Sequence, residues 1–140
     1  MKPVLQRVAP VLVVRDVVAS VAFWKEKVGF SCDELFGSPP NFAMPYRDGV
    51  TLMLAQAPDN VTPPVANWRV ISCCNQAYIW VDDVSALYAE VLAMGAPIDF
   101  SLYDTPWGTR EFGIQDLDEH DICFGQVTRV PQKEKSGTQQ

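Results

Sequence analysis

One histidine stands in the run Asp118-Glu119-His120-Asp121, the only place where the sequence gathers imidazole and carboxylates. Those residue types could ligate a divalent ion or carry a proton. Consecutive residues on a turn point in different directions and seldom converge on one ion. His120 is therefore read as a solvated turn residue. The cysteines signal no more. Cys73 and Cys74 are adjacent, Cys32 and Cys123 lie far apart, and no C-x-x-C pair occurs, so neither a zinc site nor a disulfide framework is indicated. Nucleophilic chemistry needs a base beside the thiol, and Cys73 and Cys74 have none in view. Cys32 and Cys123 read as small buried apolar residues. Glu111 could act as a base, but it alternates with Phe112 along a strand and is expected to face solvent.

The elements that would position these residues follow from composition and periodicity. A length of 140 residues suits one domain, taken as residues 1–130, with 131–140 as a flexible tail. The tail holds Lys133 and Lys135 against Glu134, so residues 1–130 carry −7 of a net −6. That balance argues against nucleic acid, which needs a basic stripe. No apolar run reaches membrane-spanning length, and residues 1–10 do not read as a signal peptide. A cytoplasmic location is expected.

Residues 10–14 (PVLVV) read as a strand, and Asp16 as the N-cap of a helix whose apolar stripe is Val17, Val21, Trp24 and Val28. Gly29 stops it. Strands are predicted over 30–36, 42–46 and 50–55, with Asp48-Gly49 as a hairpin turn. A Pro-rich connector over 57–75 follows, with a short helix or flap at 65–70. The pattern then repeats: a strand at 77–81, an Asp83 cap, a stripe of Val84, Leu87, Tyr88 and Val91, a stop at Gly95, then strands at 98–103, 110–114 and 122–126. VLVVRDVVASVAFW (11–24) lies over YIWVDDVSALYAEV (78–91) at a constant offset of 67. The expected fold is α+β, with two tandem βαβββ modules (about 8–56 and 76–127) forming a cupped mixed sheet with a central cleft.

PVLVVRDVVASVAFWKEKVGFS (10–31), YRDGVTLML (46–54), WVDDVSALYAEV (80–91) and PWGTREFGIQDLDEHDICF (106–124) together resemble the glyoxalase/bleomycin-resistance, or vicinal oxygen chelate, superfamily. Within it the chain most resembles the bleomycin-resistance proteins. Metal-dependent members place His or Glu at four strand positions facing the cleft. The resemblance puts these near Ala9, Met53, Gln76 and Cys123, none of which is His, Asp or Glu. The resemblance thus implies a protein without metal or other cofactor, non-catalytic, that binds a small molecule such as a bleomycin-like drug. It also implies a homodimer whose clefts are built from both subunits. The alternative within the superfamily is a metal-dependent glyoxalase or dioxygenase. The expected lining is aromatic: Phe36, Phe42, Tyr46, Tyr78, Trp80, Trp107 and Phe112. Trp107, held between Pro106 and Gly108, offers a flat wall for stacking. A cationic heteroaromatic ligand would also gain from nearby acids. Asp33, Glu34, Asp48 and Asp104 are candidates, and the sequence does not choose among them.

Overall fold

Two aspartates 67 positions apart start the two long helices in the same way. The computed structural model describes residues 1–129. In it, Asp16 accepts the amide of Ala19 at the head of α1 (Val17–Val28). Asp83 accepts the amide of Ala86 at the head of α3 (Val84–Ala93). Each satisfies one of the orphan donors of a first helical turn. A glutamine completes each cap from its own module: Gln56 Oε1 accepts from Val17 and Gln126 Oε1 from Val84. The repeat seen in sequence is therefore also a repeat of capping chemistry. The expected tail, 131–140, lies outside the described residues.

In module one, β1 (Val11–Val14) pairs in parallel with β6 (Met53–Gln56). The neighbours beyond it are β3 (Phe42–Ala43) and then β2 (Leu35–Phe36), giving the order β1-β6-β3-β2. In module two, β7 (Ala77–Trp80) pairs in parallel with β10 (Asp121–Val127). Beyond β10 come β9 (Thr109–Gln115) and β8 (Ile98–Asp104), giving β7-β10-β9-β8. The two sheets have the same topology, and among the described residues no strand pairing joins one to the other. A small hairpin, β4 (Tyr46–Arg47) with β5 (Val50–Thr51), is the main addition to module one. The connector carries one turn of helix, α2 (Asn67–Val70).

Three expected strands come out shorter or divided, and the one over 50–55 parts at Leu52 into β5 and β6, which join different sheets. The strand over 30–36 reduces to β2 plus one bridge between Ser31 and Tyr46. Asp33 and Glu34 interrupt it, and acidic residues are poor strand formers. The strand over 42–46 splits into β3 and β4 at Pro45, which has no amide N–H to offer a ladder.

Period-two alternation decides what each strand buries. Leu12, Val14, Leu52, Leu54, Ile114, Ile122 and Phe124 turn toward the helices and join Val17, Val21, Trp24, Val84 and Val91 in one continuous core. Trp24 is wholly buried, edge-on to Phe23 and Phe30. Polar ties bridge the modules. Arg47 forks onto Glu90 at 2.7 and 3.0 Å. Arg15 binds Asp118 and the carbonyl of Leu117. Trp68 Nε1 donates to the carbonyl of Glu119, whose carboxylate pairs with Arg69. No helix among the described residues is long and apolar enough to cross a membrane.

The matched caps give a direct test. Asp16→Ala and Asp83→Ala should each lower stability by about 1 kcal/mol in urea unfolding. The two losses should add, because the caps share no partner.

Candidate ligand-binding face

With one face of each sheet under its helix, the other is left open. In module two, strand register arranges that open face in two rows running across the strands. The first row is Trp80, Gly125, Glu111 and Tyr103. The second is Tyr78, Cys123, Gly113 and Phe100. Bulges in β8 keep Phe100 and Tyr103 in these rows, by shifting its register against β9.

The two glycines let aromatic rings lie flat. A Cβ on Gly125 would fall 1.8 Å from the Tyr78 hydroxyl, and one on Gly113 would fall 2.3 Å from the Phe100 ring. Tyr78 therefore leans across Gly125 and donates to Glu111 Oε2 at 2.7 Å. Thr109 Oγ1 donates to the same oxygen at 2.9 Å, and it accepts from Thr105 Oγ1 at 2.8 Å. Trp80 packs against Tyr78 with rings tilted and centroids 4.7 Å apart, and Tyr103 meets Phe100 edge-on. The row from Trp80 to Tyr103 spans three strand spacings, about 14 Å between backbones.

Electrostatics at this floor follow from burial. Glu111 is 7% exposed, so the expectation that it faces solvent is overturned. It does lie opposite Phe112, but the open face at that point is roofed by Tyr78. Burial, with help from the Glu111 hydrogen bond, pushes the Tyr78 phenol well above its ordinary range. Burial, then the nearby Glu111 charge, pushes the Cys123 thiol up to about 12. At neutral pH it is a protonated thiol and a poor nucleophile.

The aromatic residues expected to line a cleft fall into three groups. Tyr78 and Trp80 lie in the rows just described, and Trp107 sits at the β8–β9 turn at the end of the same sheet. Trp80 is 69% exposed and Trp107 61%. Phe36, Phe42 and Tyr46 belong to module one, where Phe36 and Phe42 face each other across β2 and β3 at 6.1 Å. Phe36 and Tyr46 border a groove of about 860 Å³, together with Asp33, Glu34, Asp48, Met53 and the N-terminal segment around Leu5 and Arg7. Phe112 belongs to neither group. It is wholly buried on the helix side, stacked on Phe124 at 5.2 Å and against Tyr88 at 5.0 Å. It is a core residue because its neighbour Glu111 takes the open face. Phe100 and Tyr103 are absent from the lining the sequence suggests, and Glu111 figures there only as a solvent-facing base. The signal was there in Gly113 and Gly125, since a glycine inside a strand marks a close approach from across the sheet.

His120 also departs from expectation. It is 5% exposed, and its Nδ1 meets Asp116 Oδ2 at 2.7 Å. Asp116 Oδ1 also receives the amides of Asp118 and His120, so the carboxylate organises the β9–β10 turn. The pair is structural and lies under Arg15 and Trp68, which grip the same turn. Cys32, expected in the core, is half-buried at its edge.

The four positions implied for a metal fall at Ala9 and Met53 in module one and at Gln76 and Cys123 in module two. Their donors do not suit a divalent ion: a methyl, a thioether, a neutral amide, and a buried thiol that keeps its proton. Among the described residues, no three His, Cys, Asp or Glu side chains gather closely enough to hold one.

Two outcomes are expected. Iodoacetamide at pH 7 should label the exposed Cys73 and spare Cys123, as read by peptide mass spectrometry. Gly125→Ala should cost about 1–3 kcal/mol through overpacking against Tyr78. Adding Tyr78→Ala to it should recover part of that loss, giving clear non-additivity in the double-mutant cycle.

Solved structures share this architecture. A bleomycin-binding protein from bleomycin-producing Streptomyces verticillus, complexed with copper(II)-bleomycin, is 27% identical with a TM-score of 0.63, covering 93% of this chain and all of that one. TioX from Micromonospora sp. ML1 is 24% identical with a TM-score of 0.69, covering 87% of this chain and 98% of that one. TnmS3, an antibiotic binding protein from Streptomyces sp. CB03234, is 21% identical with a TM-score of 0.63, covering 89% and 99%. No curated protein sequence matches the chain. Residues 5–124 match a single family, and the chain belongs to the Glyoxalase/Bleomycin resistance protein/Dioxygenase superfamily.

Proposed function

We propose that the protein binds a small aromatic molecule of antibiotic type between the open sheet faces of two copies, and protects by sequestering it. The observation that carries this reading is the strongly exposed indole of Trp80 on a face with Tyr103, with the equally exposed Trp107 in the turn at the end of the same sheet. Monomeric proteins rarely leave such surface uncovered, and aromatic-rich patches mark ligand or partner contacts. A second copy supplies the cover, and a flat ligand fills what remains. Binding of bleomycin by one similar protein and of an antibiotic by another supports the ligand class.

Retention is by stacking and hydrogen bonding, without a metal ion or cofactor. The poor donors at Ala9, Met53, Gln76 and Cys123 support this, as does the protonated state of the one thiol on the open face. The protein is read as a binder, not a catalyst, since the face presents no activated nucleophile. Four free cysteines fit work in a reducing cytoplasm.

Titrating intrinsic tryptophan fluorescence with metal-free and copper-loaded bleomycin tests the reading. Saturable quenching in the micromolar range is expected, and Trp80→Phe and Trp107→Phe should each diminish it. Sedimentation velocity at the same protein concentration should give a dimer. Absence of quenching rules out bleomycin, and a monomer rules out the shared cleft.

A further inference from the structure

Glu111 is a buried carboxylate with no cation of its own. Tyr78 and Thr109 both donate to Oε2. Oε1 receives no N–H or O–H donor among the described residues, and no Lys or Arg among them forms an ion pair with this side chain. The acids considered from sequence are otherwise engaged or remote. Asp104 is held by Arg110 at 2.7 Å, and Asp33 accepts the Tyr46 hydroxyl at 3.0 Å. Asp48 lies by Arg47. Asp33, Glu34 and Asp48 border the module-one groove, on the other sheet.

Burying an ionised carboxylate is costly unless charge or hydrogen bonds compensate. Two hydroxyls compensate one oxygen. The second takes no N–H or O–H donor among the described residues, with the weakly donating Cys123 thiol as a further partner of the carboxylate, and it lies on a floor walled by Trp80 on one side and Tyr103 on the other, beneath rings that favour cations over their faces. The gap at Gly125, between Trp80 and Glu111, is closed only by the tip of the Tyr78 ring. A phenol pivots about its own bonds, so Tyr78 can swing aside and let a ligand donor reach Oε1.

We propose that Glu111 is the charge-recognising residue of the ligand face, and that the ligand is an aromatic molecule bearing a protonated nitrogen with at least one N–H. That group donates to Glu111 Oε1 while the ring stacks on Trp80 or Tyr103. This rests on the binding reading above and narrows it to one ligand chemistry at one carboxylate. A quaternary nitrogen has charge but no donor, and a neutral alcohol has a donor but no charge. Both fall short of an N–H cation, because charge-assisted hydrogen bonds are the stronger kind.

Three probes share one ring: 1-naphthylmethylammonium, trimethyl(1-naphthylmethyl)ammonium and 1-naphthalenemethanol. Their affinities for the full chain are measured by isothermal titration calorimetry. The primary ammonium should bind about tenfold tighter than the alcohol, with the quaternary salt between. Glu111→Gln keeps the size and still accepts from Tyr78, and it should bring the ammonium and the alcohol to within about twofold of each other. Tyr78→Phe removes a hydroxyl that already compensates the carboxylate and should widen the ammonium's advantage. Equal binding of all three, or selectivity that survives Glu111→Gln, overturns the role of Glu111 and leaves the binding reading standing. Failure of every probe to bind overturns both.

Discussion

A strand has two faces, and each module has one long helix to cover its sheet. That shortage governs the molecule. The helix side of both sheets closes into one core around Trp24, Leu54, Phe112 and Phe124. On the other side Trp80 and Tyr103 stay exposed, with Trp107 exposed in the turn at the end of the same sheet. The functional reading grows from that imbalance. Surface left apolar by the fold is surface available to a ligand, a second copy, or both.

The open face of module two is chemically organised as well as apolar. Gly113 and Gly125 remove two side chains from the rows, and Phe100 and Tyr78 spread into the vacated space. The same gaps bring the Tyr78 hydroxyl onto Glu111. The hydroxyls of Tyr78 and Thr109, with the Cys123 thiol beside them, make a buried carboxylate tolerable. Sites of this kind commonly combine apolar walls with a few fixed polar groups. Nearby, burial and the same carboxylate hold Cys123 protonated, which takes away the most obvious nucleophile.

Much of the fold was legible in the sequence because the repeat was. Asp16 and Asp83 and the apolar stripes of the two helices occupy matching positions and do the same local jobs, and Gly29 and Gly95, one residue out of that register, each take left-handed backbone where a helix ends. The site was less legible, for physical reasons. Alternation says that Glu111 and Phe112 point to opposite faces, but not which face is roofed. An acidic residue suggested solvent, and the roof over it comes from Tyr78, 33 positions earlier in the chain. Phe112 was assigned to the cleft on its aromatic character alone, and register placed it under α3. His120 looked solvated among acids because sequence does not show that Arg15 and Trp68 fold over its turn. Phe100 and Tyr103 share a face only because β8 is bulged, and no periodicity reveals a bulge.

Native mass spectrometry of protein freshly isolated from its own host tests the central claim most directly. The account predicts a dimer that carries an organic guest and no stoichiometric transition metal. A monomer or dimer that retains one equivalent of manganese, iron, nickel or zinc through desalting would contradict it.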